Sequence, residues 1–263
     1  MAGETSWDPR RDALERSFTQ RRVVGPYRLG DQIRVSRLGA VWLALSADDE
    51  RVLELEHYAD LEGQVAADTE GLLMQGLGMC ADLRHRHLAE VVGVGLLDGA
   101  PYAVRVHRPG CLLSEVLEDG PLSEDLAAGV IYAMAEALEH LHGAGPFLGA
   151  CAHGAPDRDE VLLGYDGAIL LLGVGLATAR GQDDEALARD FEGLKALALA
   201  TQASTVVEEV LGAVDVADAK GRLRRRFREA CGLRAMAVAG MMRGRYAERI
   251  AAERSALGLP TLH

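Results

Sequence analysis

The chain lacks a surplus of positive charge. Its 28 Lys and Arg are outnumbered by 40 Asp and Glu, for a formal net charge of -12. Nucleic-acid binders usually present a basic surface, so no nucleic-acid partner is expected. Cysteine is sparse: Cys80, Cys111, Cys151 and Cys231 are the 4 in the chain. None belongs to a C-x-x-C pair, which excludes a zinc ribbon and a thioredoxin-type motif. Buried free thiols in a reducing cytoplasm are expected instead. Long apolar runs are missing too. The longest, residues 168–177, is interrupted by Gly173 and Gly175, whereas a membrane span needs about 20 apolar residues. Residues 1–10 are polar and carry acids, so they do not read as a signal peptide. There are no internal repeats. A cytoplasmic protein without a membrane partner is expected.

What remains is ordinary globular material. The 263 residues are 49% apolar and 26% charged, enough for one large or two-lobed domain. Apolar and polar residues alternate over 33–36 and 40–45, with Gly39 at the return, which predicts a hairpin. Residues 51–57 read as a third strand. Residues 59–83 carry a helical pattern. Leu97-Asp98-Gly99-Ala100 is an Asp-Gly hairpin signal between strands. Residues 123–142 form the strongest amphipathic helix, with Ser123 as N-cap and Glu124 and Asp125 in the first turn. A loop over 153–159 then leads to two short strands, 160–163 and 168–172, joined at Tyr165-Asp166-Gly167. Residues 202–263 are helical in pattern. The five arginines of 221–228 read as a solvated face with Leu223 and Phe227 inward. Residues 10–22 predict a short charged helix with Ala13, Leu14 and Phe18 on one face.

Seven segments follow one another in a familiar order. They are Val41-Trp42-Leu43-Ala44 after the Gly39 return, the 51–57 strand, His85-Arg86-His87-Leu88, Pro109-Gly110, Met134-Ala135-Glu136-Ala137-Leu138 running to Leu141-His142, Glu160-Val161-Leu162-Leu163, and Asp190-Phe191-Glu192-Gly193-Leu194. Over residues 26–200 this order resembles the bacterial serine/threonine protein kinase family, in degenerate form. The resemblance implies an α+β, two-lobed protein kinase-like fold with a small β-rich N-lobe and a mainly helical C-lobe. It implies an extension over 1–26, an N-lobe over 27–108, and a C-lobe over 109–263 with a shortened activation segment.

The same resemblance locates the chemistry and finds it replaced. In the family, three glycines let backbone N–H groups approach the nucleotide phosphates. Here only Gly39 matches, and Arg34 and Ser36 take the other two places. The phosphate-clamping lysine falls on Glu56, or on Leu55 in the other register. Its partner glutamate falls on Gln75 or Gly76, with Glu70 too far N-terminal. His153-Gly154-Ala155 stands at the His-Arg-Asp motif, so the catalytic-base position is Ala155. The metal-binding Asn position is Glu160, and Gly173-Val174-Gly175 replaces Asp-Phe-Gly. Asp157-Arg158-Asp159 imitates His-Arg-Asp but lies too close to the next strand to serve. Cys151 and His153 have no further zinc ligands at usable spacing.

Two classes of function follow. The first is a pseudokinase: an inactive kinase homologue acting as a regulatory or protein-interaction module, with a protein partner, no bound metal or cofactor and no ATP binding. The alternative is a repurposed kinase-fold enzyme. It would act on a small molecule in the interlobe cleft, using His153, Asp157, Asp159 and Glu160 beneath Arg34. A degenerate nucleotide or metabolite sensor is a third.

Overall fold

The computed structural model describes residues 22–36, 39–58, 67–144, 151–175, 184–227 and 234–257. The helix expected over 10–22 lies almost wholly outside them. The small lobe is one antiparallel sheet. Its strands are β1 (Val23–Val24), β2 (Tyr27–Ser36), β3 (Gly39–Ser46), β4 (Val52–His57), β5 (Val91–Leu97) and β6 (Ala100–Val106), ordered β1-β2-β3-β4-β6-β5. Val23 and Val24 already pair with Arg28 and Tyr27, so the sheet begins ahead of residue 27. Helix α1 (Ala67–Ala81) accompanies the sheet. The β5–β6 connection is the Asp-Gly turn, with Asp98 and Gly99 both at positive φ, 54° and 84°. A two-residue turn of this hand matches the twist of the flanking strands.

Strand alternation decides which face of the sheet does what. Leu53 and Leu55 of β4 pack with Leu29, Ala44, Tyr102 and Val104 as the core of the small lobe. Glu54 and Glu56 therefore share the opposite face. The ladder places Glu56 across from Val41, and Glu54 across from Leu43 on one side and Arg105 on the other. Of the two registers left open by the sequence, this is the one that puts Glu56 on the cleft face.

Strands β7 (Gly110–Leu112), β8 (Val161–Gly164) and β9 (Ile169–Leu171) make a second, three-stranded sheet at the junction. Helix α2 (Leu113–Glu118) follows β7 directly. Helix α3 (Glu124–His142) is the central helix of the large lobe, with Ser123 accepting from Leu126 N–H as its cap. Ile131, Met134, Leu138 and Leu141 of α3 are fully buried in the main core. Helices α4 (Asp184–Thr201), α5 (Ser204–Leu211), α6 (Val216–Phe227) and α7 (Arg234–Ala256) complete the lobe. Leu223 of α6 is buried, as expected; the side chain of Phe227 lies outside the description. The lobes are stitched by backbone bonds from Leu171 N to His87 O and from Ala89 N to Leu171 O. Among the described residues, no helix is long and apolar enough to cross a membrane.

Candidate functional site: the interlobe cleft

The loop that carries His153 is built around one carboxylate. Asp190 of α4 has no exposed surface. Its Oδ2 accepts from the His153 N–H and lies 2.9 Å from His142 Nε2. Its Oδ1 accepts from the N–H groups of Gly154 and Ala155 at 2.6 and 3.0 Å. Burial works against the charge of Asp190, but His142, His153 and these N–H groups outweigh it and hold the carboxyl below the usual range. The consequence is geometric. Gly154 and Ala155 sit at φ 93° and 79°, a conformation that strains any residue with a Cβ. Asp190 holds them there. His153 braces the same loop, with Nε2 2.7 Å from the Leu172 carbonyl. Close packing completes the corner: a Cβ on Gly193 would lie 2.6 Å from Pro156 Cδ.

Downstream, Asp157 caps a single 3-10 turn, Arg158–Glu160, by accepting from Asp159 N–H. Glu160 reaches back to the Asp157 N–H. Its carboxylate also fills the space in front of Gly173: a Cβ there would lie 2.9 Å from Glu160 Oε1, at a backbone φ of 69°. An aspartate at 173 would have to displace Glu160. Gly175 meets α1 with equal intimacy. A Cβ on it would lie 2.9 Å from Cys80 Sγ and 3.1 Å from the Gly76 carbonyl. Gly76 is the buried member of the Gln75–Gly76 pair, so the helix approaches the turn where it has no side chain. Eight residues, 176–183, separate this turn from α4.

The small-lobe side of the cleft is charged. Glu56 accepts from the Arg105 guanidinium and, at 3.2 Å, from the Tyr58 hydroxyl. Tyr58 in turn accepts from Arg105 Nη2. All three are buried. Burial alone would raise the Glu56 pKa, but Arg105 outweighs it and holds the carboxyl ionised below its usual range. Glu54, one step along the same face, is bound by Arg34 Nη2 at 2.5 Å and His107 Nδ1 at 2.8 Å. Burial again opposes ionisation, and His107 and Arg34 still bring the carboxyl down to about 2. Arg34 reaches Glu54 because β2 carries irregularities between Leu29 and Arg34, which re-aim side chains. Gly39 has a reason unconnected with any ligand: a Cβ there would overlap the His57 carbonyl. Sequence reasoning does not single out Arg105, Glu54 or His107. The signal is present as one Arg in the apolar strand Ala-Pro-Tyr-Ala-Val-Arg-Val, since a buried cation demands an acid.

Between the lobes lies a cavity of about 370 Å3, lined by Arg34, Ser36 and Glu56 from one lobe and by Asp157, Asp159, Glu160 and Gly173 from the other. Seven of the residues proposed from sequence thus meet, while Gly39, His153 and Ala155 do not line it. A second cavity of about 250 Å3 opens on the hinge side, beside Glu54 and His107. Arg34 and Leu112 line both, so they form the wall between them. On the small-lobe side of this cavity Glu56 is already paired with Arg105, Arg34 reaches to Glu54, and Glu54 itself lines the hinge-side cavity. Among the described residues, no group of three or more His, Cys, Asp or Glu is arranged to hold a metal ion.

No protein-family model matches the chain, and no curated protein sequence does. Solved structures do. The kinase domain of PknI from Mycobacterium tuberculosis superposes with a TM-score of 0.64 at 16% identity, covering 80% of this chain and 98% of that one. A second structure of the same kinase domain gives 0.62, with 78% and 98% covered at the same identity. Rad53 1-466 in complex with AMP-PNP gives 0.59 at 13% identity, covering 75% of this chain and 64% of that one. Identity this low speaks for fold and leaves chemistry to the residues. The chain has the two-lobed protein kinase-like fold, with a β-sheet N-lobe and a helical C-lobe.

Proposed function

We propose that the chain is a pseudokinase: a catalytically inactive kinase homologue of bacterial, cytoplasmic setting that acts through a protein partner. One observation carries this reading. Buried Glu56, locked to Arg105 and Tyr58, stands where a kinase needs a cation against the phosphates. Gly173 in place of a metal ligand and Ala155 in place of a base point the same way. The test is a thermal melt of the purified chain with ATP and magnesium, beside a phosphoryl-transfer assay on a general protein substrate. No change in Tm and no transfer are expected. A rise of several degrees, or label on any protein, would overturn the proposal.

The cavity of about 370 Å3 favours a second reading, a repurposed enzyme acting on a small molecule. His153 is unsuitable as a probe because it braces the loop. Asp159 is exposed and lines the cavity. Asp159→Asn leaves the biological function of an interaction module intact and abolishes that of a cleft enzyme.

A further inference from the structure

Helix α7 does not stay in the large lobe. Its first half is anchored there by buried Val238, Ala239 and Met242. Tyr246 then breaks the helical backbone, at φ -121° and ψ 26°. Beyond this kink, among the described residues, only Ile250 and Leu257 are buried. Leu257 packs on Leu45, Leu43 and Val52, which belong to the small lobe. In between, Ile250 packs in the large-lobe core, and polar contacts run along the hinge. Tyr246 donates to Asp119 Oδ2 at 2.6 Å, Arg249 Nη1 donates to Glu115 Oε1 at 2.9 Å, and Tyr165 donates to Glu253 Oε1 at 3.1 Å. Arg249, Glu253, Ala256 and Leu257 form the outer wall of the hinge-side cavity of about 250 Å3.

We propose that residues 246–257 are a strap, hinged at Tyr246, that closes the hinge-side cavity and ties the two lobes together, and that lifts off as a unit. A segment with few buried apolar side chains, exposed ion pairs and a preformed kink has the composition of a unit that opens below the threshold of global unfolding. Partly exposed ion pairs such as Arg249–Glu115 hold weakly. Two apolar side chains therefore do most of the fastening. Opening would uncover β7 and detach Leu257 from the small lobe, so one event controls both access to the cavity and the freedom of the lobes. The proposal holds whether or not the cleft is catalytic.

The chain carries its own reporter. Cys111 of β7 is fully buried, 3.8 Å from the hydroxyl of Tyr165, which the strap holds through Glu253. Cys80 and Cys151 are buried elsewhere in the core. The experiment treats the full chain with N-ethylmaleimide under native conditions and follows each cysteine separately by peptide mass spectrometry. Leu257→Asp is expected to speed labelling of Cys111 at least tenfold, with Cys80 and Cys151 unchanged. Glu253→Ala, a milder change, is expected to give a smaller rise at Cys111 alone. Unchanged Cys111 labelling in both variants would overturn the proposal. So would a parallel rise at Cys80, Cys111 and Cys151, because the helix end would then be part of the global core.

Discussion

The two walls of the cleft treat buried charge differently. In the large lobe, one carboxylate, Asp190, gathers His142 and the N–H groups of residues 153–155, with no guanidinium or ammonium bound to it among the described residues. In the small lobe, two carboxylates face two arginines and a histidine. The first arrangement shapes backbone. The second neutralises side chains that the strand alternation has forced onto the inner face. A loop built on hydrogen bonds to one anion takes its form from backbone donors. A face built on ion pairs takes its form from side chains.

The sharpest way to break this contrast is Asp190→Ala. It strands the N–H donors of residues 153–155 and releases Ala155 from its strained φ. At roughly 1.5–3 kcal/mol for each hydrogen bond to a charged group, a loss of at least about 4 kcal/mol is expected in urea denaturation. A loss below about 1 kcal/mol would refute the bracing role. Next comes Arg105→Met, which leaves Glu56 buried without its cation and should cost about 3 kcal/mol. The triple variant Glu56→Leu/Tyr58→Phe/Arg105→Met removes the whole polar group and should return to within about 1 kcal/mol of wild type. If it stays as unstable as the single variant, the cluster is more than a neutralised pair.

The smallest effect is read in acid. Glu54 titrates at about 2 in the folded chain against an ordinary 4.5. A depressed carboxyl contributes stability that is fully present above the unfolded value and is lost as pH falls toward the folded one. Wild type should therefore weaken between about pH 4.5 and 2, and Glu54→Gln should flatten that limb by up to about 3 kcal/mol. Chemical denaturation across this range checks it; parallel limbs for the two proteins would contradict the assignment.

Local signals in the sequence carry much of the fold. Asp98-Gly99 makes the turn it predicts, Ser123 caps α3, and the order of segments around Asp190 leads to the observed two-lobed arrangement. The cleft is less legible. Leu-Glu-Leu-Glu announces alternation but not which face meets the cleft; that depends on Leu29, Ala44 and Val104 from three other strands. Arg105 lies 49 positions from Glu56, and nothing local joins them. Glu160 reads in the sequence as a lost metal ligand, and its task in filling the space before Gly173 emerges only when the loop is folded. The reach of α7 to Leu45 is likewise a long-range contact that no periodicity encodes.

The meeting of Gly175 with Gly76 and Cys80 has one more consequence. An ion pair between a helix and the sheet beside it responds to salt, because mobile ions screen it over about 10 Å at 0.1 M ionic strength. A contact of backbone against backbone and thiol gives those ions nothing to act on. The contact of Gly175 with Gly76 and Cys80 should therefore respond little to ionic strength.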